Sequence, residues 1–345
     1  VDEYQDLMRV SVASAENDHR LGANEAPPAI ISMFLGDDLE AILEAIESGK
    51  PYNGSGIEKM EIGVHVLPSF PKDTTDRNRT SPFAFTGNKF EFRMPGSNVN
   101  LSDCNMILNT AMAKSLKDFA DAMEGLEGAE FEREAIRYIK KTLKDHQRII
   151  FNGNGYAEDW EIEAEKRGLA NNRNTAEALP CFVSQKAIDL FEEFNVLTEP
   201  EIRARYEIKL EKYSKLLNIE ARVMIRMARR TYLPAISDYM ADLANNISAV
   251  KAVMPDEEMK EHMALLKKIT RGVSAAGKAT RELMRLHDMA EAIEDPQEEA
   301  NFYANDVIPA MEALRKRLMT SNALLSVTTG PFLLTMTFSS TARSL

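Results

Sequence analysis

The chain has 345 residues, of which 44% are hydrophobic and 28% charged, enough for a sizeable core in one large domain or two to three ordinary ones. A formal net charge of −12 argues against a nucleic-acid binder or an anionic-membrane binder, but allows a local basic pocket. Two distant cysteines, Cys104 and Cys181, give no disulfide framework and suit a reducing cytoplasm, and five scattered histidines show no metal-type spacing.

The chain opens at Val1 without a signal peptide, inside sequence that reads as structured, so a piece of a longer protein is expected. No uncharged apolar run has the quality of a membrane span. Residues 1–109 are rich in Gly, Pro, Asn and short apolar runs, the texture of strands and loops. Within them, "DDLEAILEAIESGK" predicts a helix with Asp37 and Asp38 at its start and Gly49 at its stop. "GVHVLP" and "FEFRMPG" predict strands, the second closed by Pro95-Gly96. Alternation puts Phe90, Phe92 and Met94 on a core-facing side of that strand. Glu91 and Arg93 share the other side, roughly 6.5–7 Å apart along the backbone. A solvated face or an exposed salt bridge is the ordinary meaning of such a pair.

The texture changes near residue 102. "SDCNMILNTAMAKSLKDFADAMEG" predicts a helix started by Ser102 and Asp103, with Met106, Ile107, Thr110, Met112 and Leu116 as its apolar stripe. Ile136, Ile139 and Leu143 mark another helix, and residues 152–180, with two Asn-Gly steps and one Trp, read as a loop whose end begins a further helix. Residues 199–293 read as almost wholly helical, with Thr198 as N-cap and Pro200 in the first turn. Tyr206, Leu210, Tyr213 and Leu217 form a stripe that continues to Val223 and Met227, and Pro234 is expected to kink or split the helix. Long helices with short Pro-marked connections suggest an antiparallel bundle or hairpin, and its methionines read as core filler. The tail "NALLSVTTGPFLLTMTFSSTA" reads as a strand pair or an ill-ordered end.

Two loops carry the chemistry. "ENDHRLGANEAPPAIIS" holds Arg20 and Glu25 beside the turn-forming Gly22 and Asn24, and "TDRNRTS" adds Arg77 and Arg79 ahead of the Glu91 strand. In an acidic chain, the cluster of Arg20, Arg77, Arg79, Lys89 and Arg93 is a local anion-binding signal. Glu25 and Glu91 among these cations suit a metal or a proton-transfer role.

"NDHRLGANEAPPAIIS", "TDRNRTSPFAFTGNKFEFRMPGS" and "EIRARYEIKLEKYSKLLNIEA" closely resemble the type III glutamine synthetases, from about residue 11 to about residue 318. The resemblance implies an α+β fold: the end of a glutamine synthetase catalytic domain over residues 1–109, then a large helical C-terminal domain over 110–320, with 321–345 an atypical tail. It implies an ATP-dependent ligase that phosphorylates glutamate's side-chain carboxylate and then lets ammonia displace phosphate, with Mg2+ or Mn2+ on the phosphates. By resemblance Glu91 binds metal, Arg93 and Arg20 hold the glutamate carboxylate, Glu25 accepts a proton from ammonium, and Arg79 contacts the nucleotide phosphates, with Lys89 near the nucleotide. A cytoplasmic dodecamer of two hexameric rings is implied as well. The chain departs from the family at Ala84, where a second phosphate-binding Arg is usual, in lacking the β-grasp domain and the remaining metal ligands, and at its end. The rival readings are another ligase or guanidino kinase of the same superfamily, and a non-catalytic helical assembly module.

Overall fold

The computed structural model describes residues 1–23, 26–52, 59–60, 70–71, 80–256 and 258–322. The chain divides into two compact units, Val1–Tyr206 and Glu207–Leu345. The first opens with two short helices, α1 (Gln5–Ser11) and α2 (Ala15–Asp18); the Ser14 side chain caps α2 by accepting the Asn17 N–H. Strand β1 (Met33–Phe34) and helix α3 (Asp37–Ser48) follow. Gly49, at φ +70°, ends α3 in the left-handed conformation that glycine adopts without strain, as the sequence predicts. Strands β2 (Lys59–Met60) and β3 (Phe70–Pro71) pair antiparallel. Strands β4 (Phe83–Phe85) and β5 (Phe90–Phe92) form a hairpin, and β1 joins β4 in parallel, giving a mixed sheet of order β1-β4-β5. Its register sets the buried Ala84 opposite Glu91. The expected apolar face of β5 is only partly realised: Met94 is buried, but Phe90 is 45% exposed and rests on the rings of Phe83 and Phe85. β5 lies at the edge of this sheet, where less protein is available to cover a side chain.

Helices α4 (Leu101–Met123), α5 (Gly128–His146), α6 (Glu158–Lys166), α7 (Thr175–Ala178) and α8 (Gln185–Glu193) complete this part. Asn100 caps α4 by accepting the Ser102 N–H, two residues earlier than the sequence suggests. Ile107 and Thr110 are buried, whereas Met112 and Leu116 are exposed, as are Ile136 and Ile139 of α5. Helix α6 lies inside the expected loop. Its Trp160 is 2% exposed and stacks on Phe151 with centroids 3.8 Å apart, a large apolar anchor that outweighs the turn signals before it.

Helix α9 (Glu199–Met227) starts where expected: Thr198 donates its N–H and its hydroxyl to the Glu201 carboxylate, at 2.9 and 2.8 Å. Leu210, Tyr213 and Leu217 are buried, while Val223 is exposed. A π-helical turn, Ala228–Tyr232, then separates α9 from α10 (Leu233–Val253), with Pro234 in the first turn of α10. Pro234 thus splits the regular helix, and the π turn absorbs its missing N–H without breaking the rod. Helix α11 (Lys260–Ala290) packs on α10 across a short connection and also on α13 (Ile308–Asn322), which follows α12 (Pro296–Phe302) and the π turn Tyr303–Val307. Leu243, Ile269, Leu283, Tyr303, Val307 and Leu314 fill this helical core. "GVHVLP" and the tail beyond residue 322 lie outside the described residues. No described helix is long and apolar enough to cross a membrane.

Candidate functional site

A buried guanidinium must be paired, and Arg9, 1% exposed, is paired across the fold. Its Nη2 donates to Asp18 at 2.9 Å and its Nε donates to the Asn172 carbonyl at 2.8 Å. Asp18 also accepts the Thr175 N–H at 2.7 Å and the Thr175 hydroxyl at 3.0 Å. Burial pushes the Asp18 carboxyl above its ordinary value, against the opposing pull of Arg9 and Thr175. This network ties α1 and α2 to the start of α7. One residue earlier, buried Asn17 links α2 to the segment just after β5: its Nδ2 donates to the Val12 and Met94 carbonyls at 2.9 and 3.1 Å. Asn17 Oδ1 in turn accepts Arg20 Nε at 3.0 Å, and Arg20 Nη2 also donates to the Met94 carbonyl. Gly96 permits this approach, since a Cβ there would stand 2.9 Å from Asn17 Oδ1.

Arg20 and the β4–β5 hairpin then enclose a cleft of about 280 Å³, lined also by Pro27, Ser81, Glu91, Arg93 and Met94. Arg93 donates to Glu91 Oε2 from Nε at 3.2 Å and from Nη2 at 3.1 Å, and Lys89 Nζ stands 3.4 Å from Glu91 Oε1. The Arg93 guanidinium, with help from Lys89, holds the Glu91 carboxyl below the ordinary carboxylate range, so Glu91 is ionised at neutral pH. The charges on that face therefore meet directly, in the salt bridge that the family resemblance does not require. The result is an ionised, partly exposed carboxylate beside two guanidinium groups: one group able to ligate a cation, and two able to receive an anion.

Of the residues singled out from the sequence, Arg20, Glu91 and Arg93 line one cleft and Lys89 touches it through Glu91. Glu25 and Arg79, with Asn24 and Arg77, lie outside the described residues. Sequence reasoning missed Asn17 and the Arg9–Asp18 pair. The signal was the "ND" two residues before Arg20, where a carboxamide and a carboxylate follow a helix cap. Ala84, opposite Glu91, offers no side-chain donor to a phosphate. Among the described residues, the group spaced like metal ligands is His287, Asp288 and Glu291, which does not include Glu91.

Residues 134–251 match the family model described as the glutamine synthetase C-terminal domain. Beyond that segment, nearly all of the chain's length is similar to proteins named glutamine synthetase. It is 39% identical over 325 residues to a glutamine synthetase of Butyrivibrio fibrisolvens, covering 94% of this chain and 46% of that protein. To the type-3 glutamine synthetase of Dictyostelium discoideum it is 37% identical over 321 residues, covering 92% of this chain and 44% of that protein. To a glutamine synthetase of Bacteroides fragilis (strain YCH46) it is 36% identical over 327 residues, covering 92% and 45%. The chain thus spans about half the length of the curated relatives it matches.

Proposed function

We propose that this chain forms part of an ATP-dependent ligase that joins ammonia to glutamate through a γ-glutamyl phosphate. The observation that carries the reading is the cleft: Arg20 from a loop and Glu91 and Arg93 from the β5 segment, far apart in sequence, line one cavity. In this reading residues 1–109 complete the catalytic domain, 110–320 form the helical C-terminal domain, and 321–345 are a tail of different character. The assembly is a cytoplasmic dodecamer of two hexameric rings.

Glu91 fits a divalent cation, because Mg2+ and Mn2+ take hard oxygen ligands and this carboxylate is ionised and reachable. Arg93 and Arg20 supply the planar forks that bind a carboxylate in two-point fashion, here glutamate's. Arg79 steadies the phosphates with Lys89 nearby, and Glu25 takes a proton from ammonium so that the neutral amine can attack. The cations, when bound, neutralise phosphate charge and orient the transferring group. One carboxylate gives a cation only one or two of the six or more oxygens it takes, so in this reading phosphates, water and further protein ligands outside this chain complete the shell.

The test is Glu91→Gln in the full-length enzyme, assayed for glutamine synthesis across a magnesium titration. The amide is a poorer ligand, so the metal requirement should rise at least tenfold while circular dichroism stays unchanged. Near-normal activity at low magnesium would sink the metal role.

A further inference from the structure

The unit Glu207–Leu345 holds a second concavity, of about 400 Å³. One wall is the end of α9 with the π turn after it, carrying Arg222, Arg226, Arg229 and Arg230; the other is α11, with His287 and Asp288. Steps of four and of three to four put the arginines on one helix face within about 12 Å. In a regular α-helix, neighbours such as Arg229 and Arg230 point roughly 100° apart. Both fall in the π turn, and both line this wall.

The four guanidinium groups form no ion pair with any described residue, although all are exposed. Other cations of these helices are matched locally: Arg203 with Glu199, Lys215 with Glu211, Arg285 with Glu282. Like charges three to four residues apart repel, so four together cost stability unless something anionic offsets them. Only Asp288 on the facing wall does so, which leaves the lining three charges positive. His287 adds a buried imidazole, 6% exposed, whose Nε2 has no hydrogen-bond partner.

We propose that this cleft binds a linear polyphosphate group, as carried by a nucleoside triphosphate or as free tripolyphosphate. A chain with three to four negative charges matches the excess on the lining. Guanidinium forks suit phosphate oxygens, and the concavity admits a small anion rather than a folded partner. A cation is the competing occupant, because ligand atoms of His287, Asp288 and Glu291 lie within 4.8 Å of one another. It is disfavoured: Glu291 already accepts Asn218 Nδ2 at 2.9 Å, and the four arginines repel a positive ion. The site shares no residue with the Glu91 cleft and does not depend on the ligase reading.

The test is calorimetric titration of the 345-residue chain with tripolyphosphate, in metal-free buffer at low salt. The Arg226→Glu/Arg229→Glu variant should bind at least tenfold more weakly with unchanged helical circular dichroism, and His287→Asn a few-fold more weakly. If the charge reversal unfolds the unit, Arg226→Gln/Arg229→Gln replaces it, with the same tenfold loss expected. ATP matching or exceeding tripolyphosphate supports the site and assigns it to nucleotides; tripolyphosphate alone binding supports it and assigns free polyphosphate. No binding at millimolar tripolyphosphate, equal binding by the variants, or Zn2+ binding lost in His287→Asn that tripolyphosphate does not affect would each overturn the proposal.

Discussion

Charged groups are used differently in the two halves of this molecule. In the first unit the ones that matter reach across the sequence: Arg9 meets Asp18 and the Asn172 carbonyl, and Asp18 meets Thr175, 157 positions away. In the second unit the ion pairs are local, such as Lys215 with Glu211 and Arg285 with Glu282, on exposed helix faces. A buried long-range pair fixes where backbone segments lie, and removing one partner strands the other charge in the interior. An exposed pair one helical turn apart supports only its own helix, by a few tenths of a kcal/mol. The cleft with Arg20, Glu91 and Arg93 is built on the first kind of interaction, because a site of converging side chains needs its loops held in place.

The sharpest way to break this contrast is Arg9→Ala, which leaves Asp18 buried without its partner. We expect a loss of about 3–5 kcal/mol of stability. It is measured by urea denaturation followed through Trp160, the only tryptophan and a reporter for the first unit. A loss under about 1 kcal/mol would show that the network is dispensable. In the second unit stability rests on apolar packing, so Leu283→Ala, fully buried on α11, should cost about 3 kcal/mol, seen as an earlier transition in far-ultraviolet circular dichroism.

A smaller effect is expected at Gly96. Gly96→Ala pushes a methyl group against Asn17, whose amide is held by three hydrogen bonds, at a cost of about 1–2 kcal/mol. Crystallography of the variant should show Asn17 displaced and Arg20 moved with it; an unmoved Asn17 would contradict the linkage. The smallest effect concerns pH. Arg93 and Lys89 lower the folded-state titration of Glu91, so its contribution to stability is complete above the unfolded carboxylate range and is lost as pH falls through the folded value. Glu91→Gln should therefore flatten the acid limb of the stability curve slightly. A variant with the same acid limb as the parent would show that the pair adds nothing.

The sequence made some of this visible and hid the rest for physical reasons. Helices with a stripe and a terminator could be read, as α3 shows with Gly49 and α9 with Thr198. Helix α6 could not, because two Asn-Gly steps precede it and its anchor, Trp160 against Phe151, is a tertiary contact. Periodicity tells which face of a helix is apolar but not whether anything covers it, and Met112, Leu116, Ile136 and Ile139 are exposed for that reason. In the cleft, residue types and loop composition pointed to Arg20, Glu91 and Arg93. Asn17 and the Arg9–Asp18 pair stayed hidden because their partners, at Met94, Asn172 and Thr175, are remote in the chain.

The π turn at Ala228–Tyr232 leaves a trace in the numbering of the core. Buried positions up to its first residue, Leu210, Tyr213, Leu217, Ala221 and Ala228, step by three, four, four and seven; the next is Ile236, eight on, and then Leu243 and Ile247 at seven and four. Two turns of regular α-helix need about 7.2 residues, so a step of eight would carry the apolar stripe roughly 80° off phase. The wider turn takes up the surplus residue and returns Ile236 to the side facing the core. Removing one residue between 229 and 232 would restore a step of seven and keep the later core positions in phase, with Pro234 then kinking a helix that has lost its wider turn. The same deletion in the middle of α9 or α10 would turn every later core position away by about 100°. Length is therefore negotiable at this one point of the rod and fixed on either side of it.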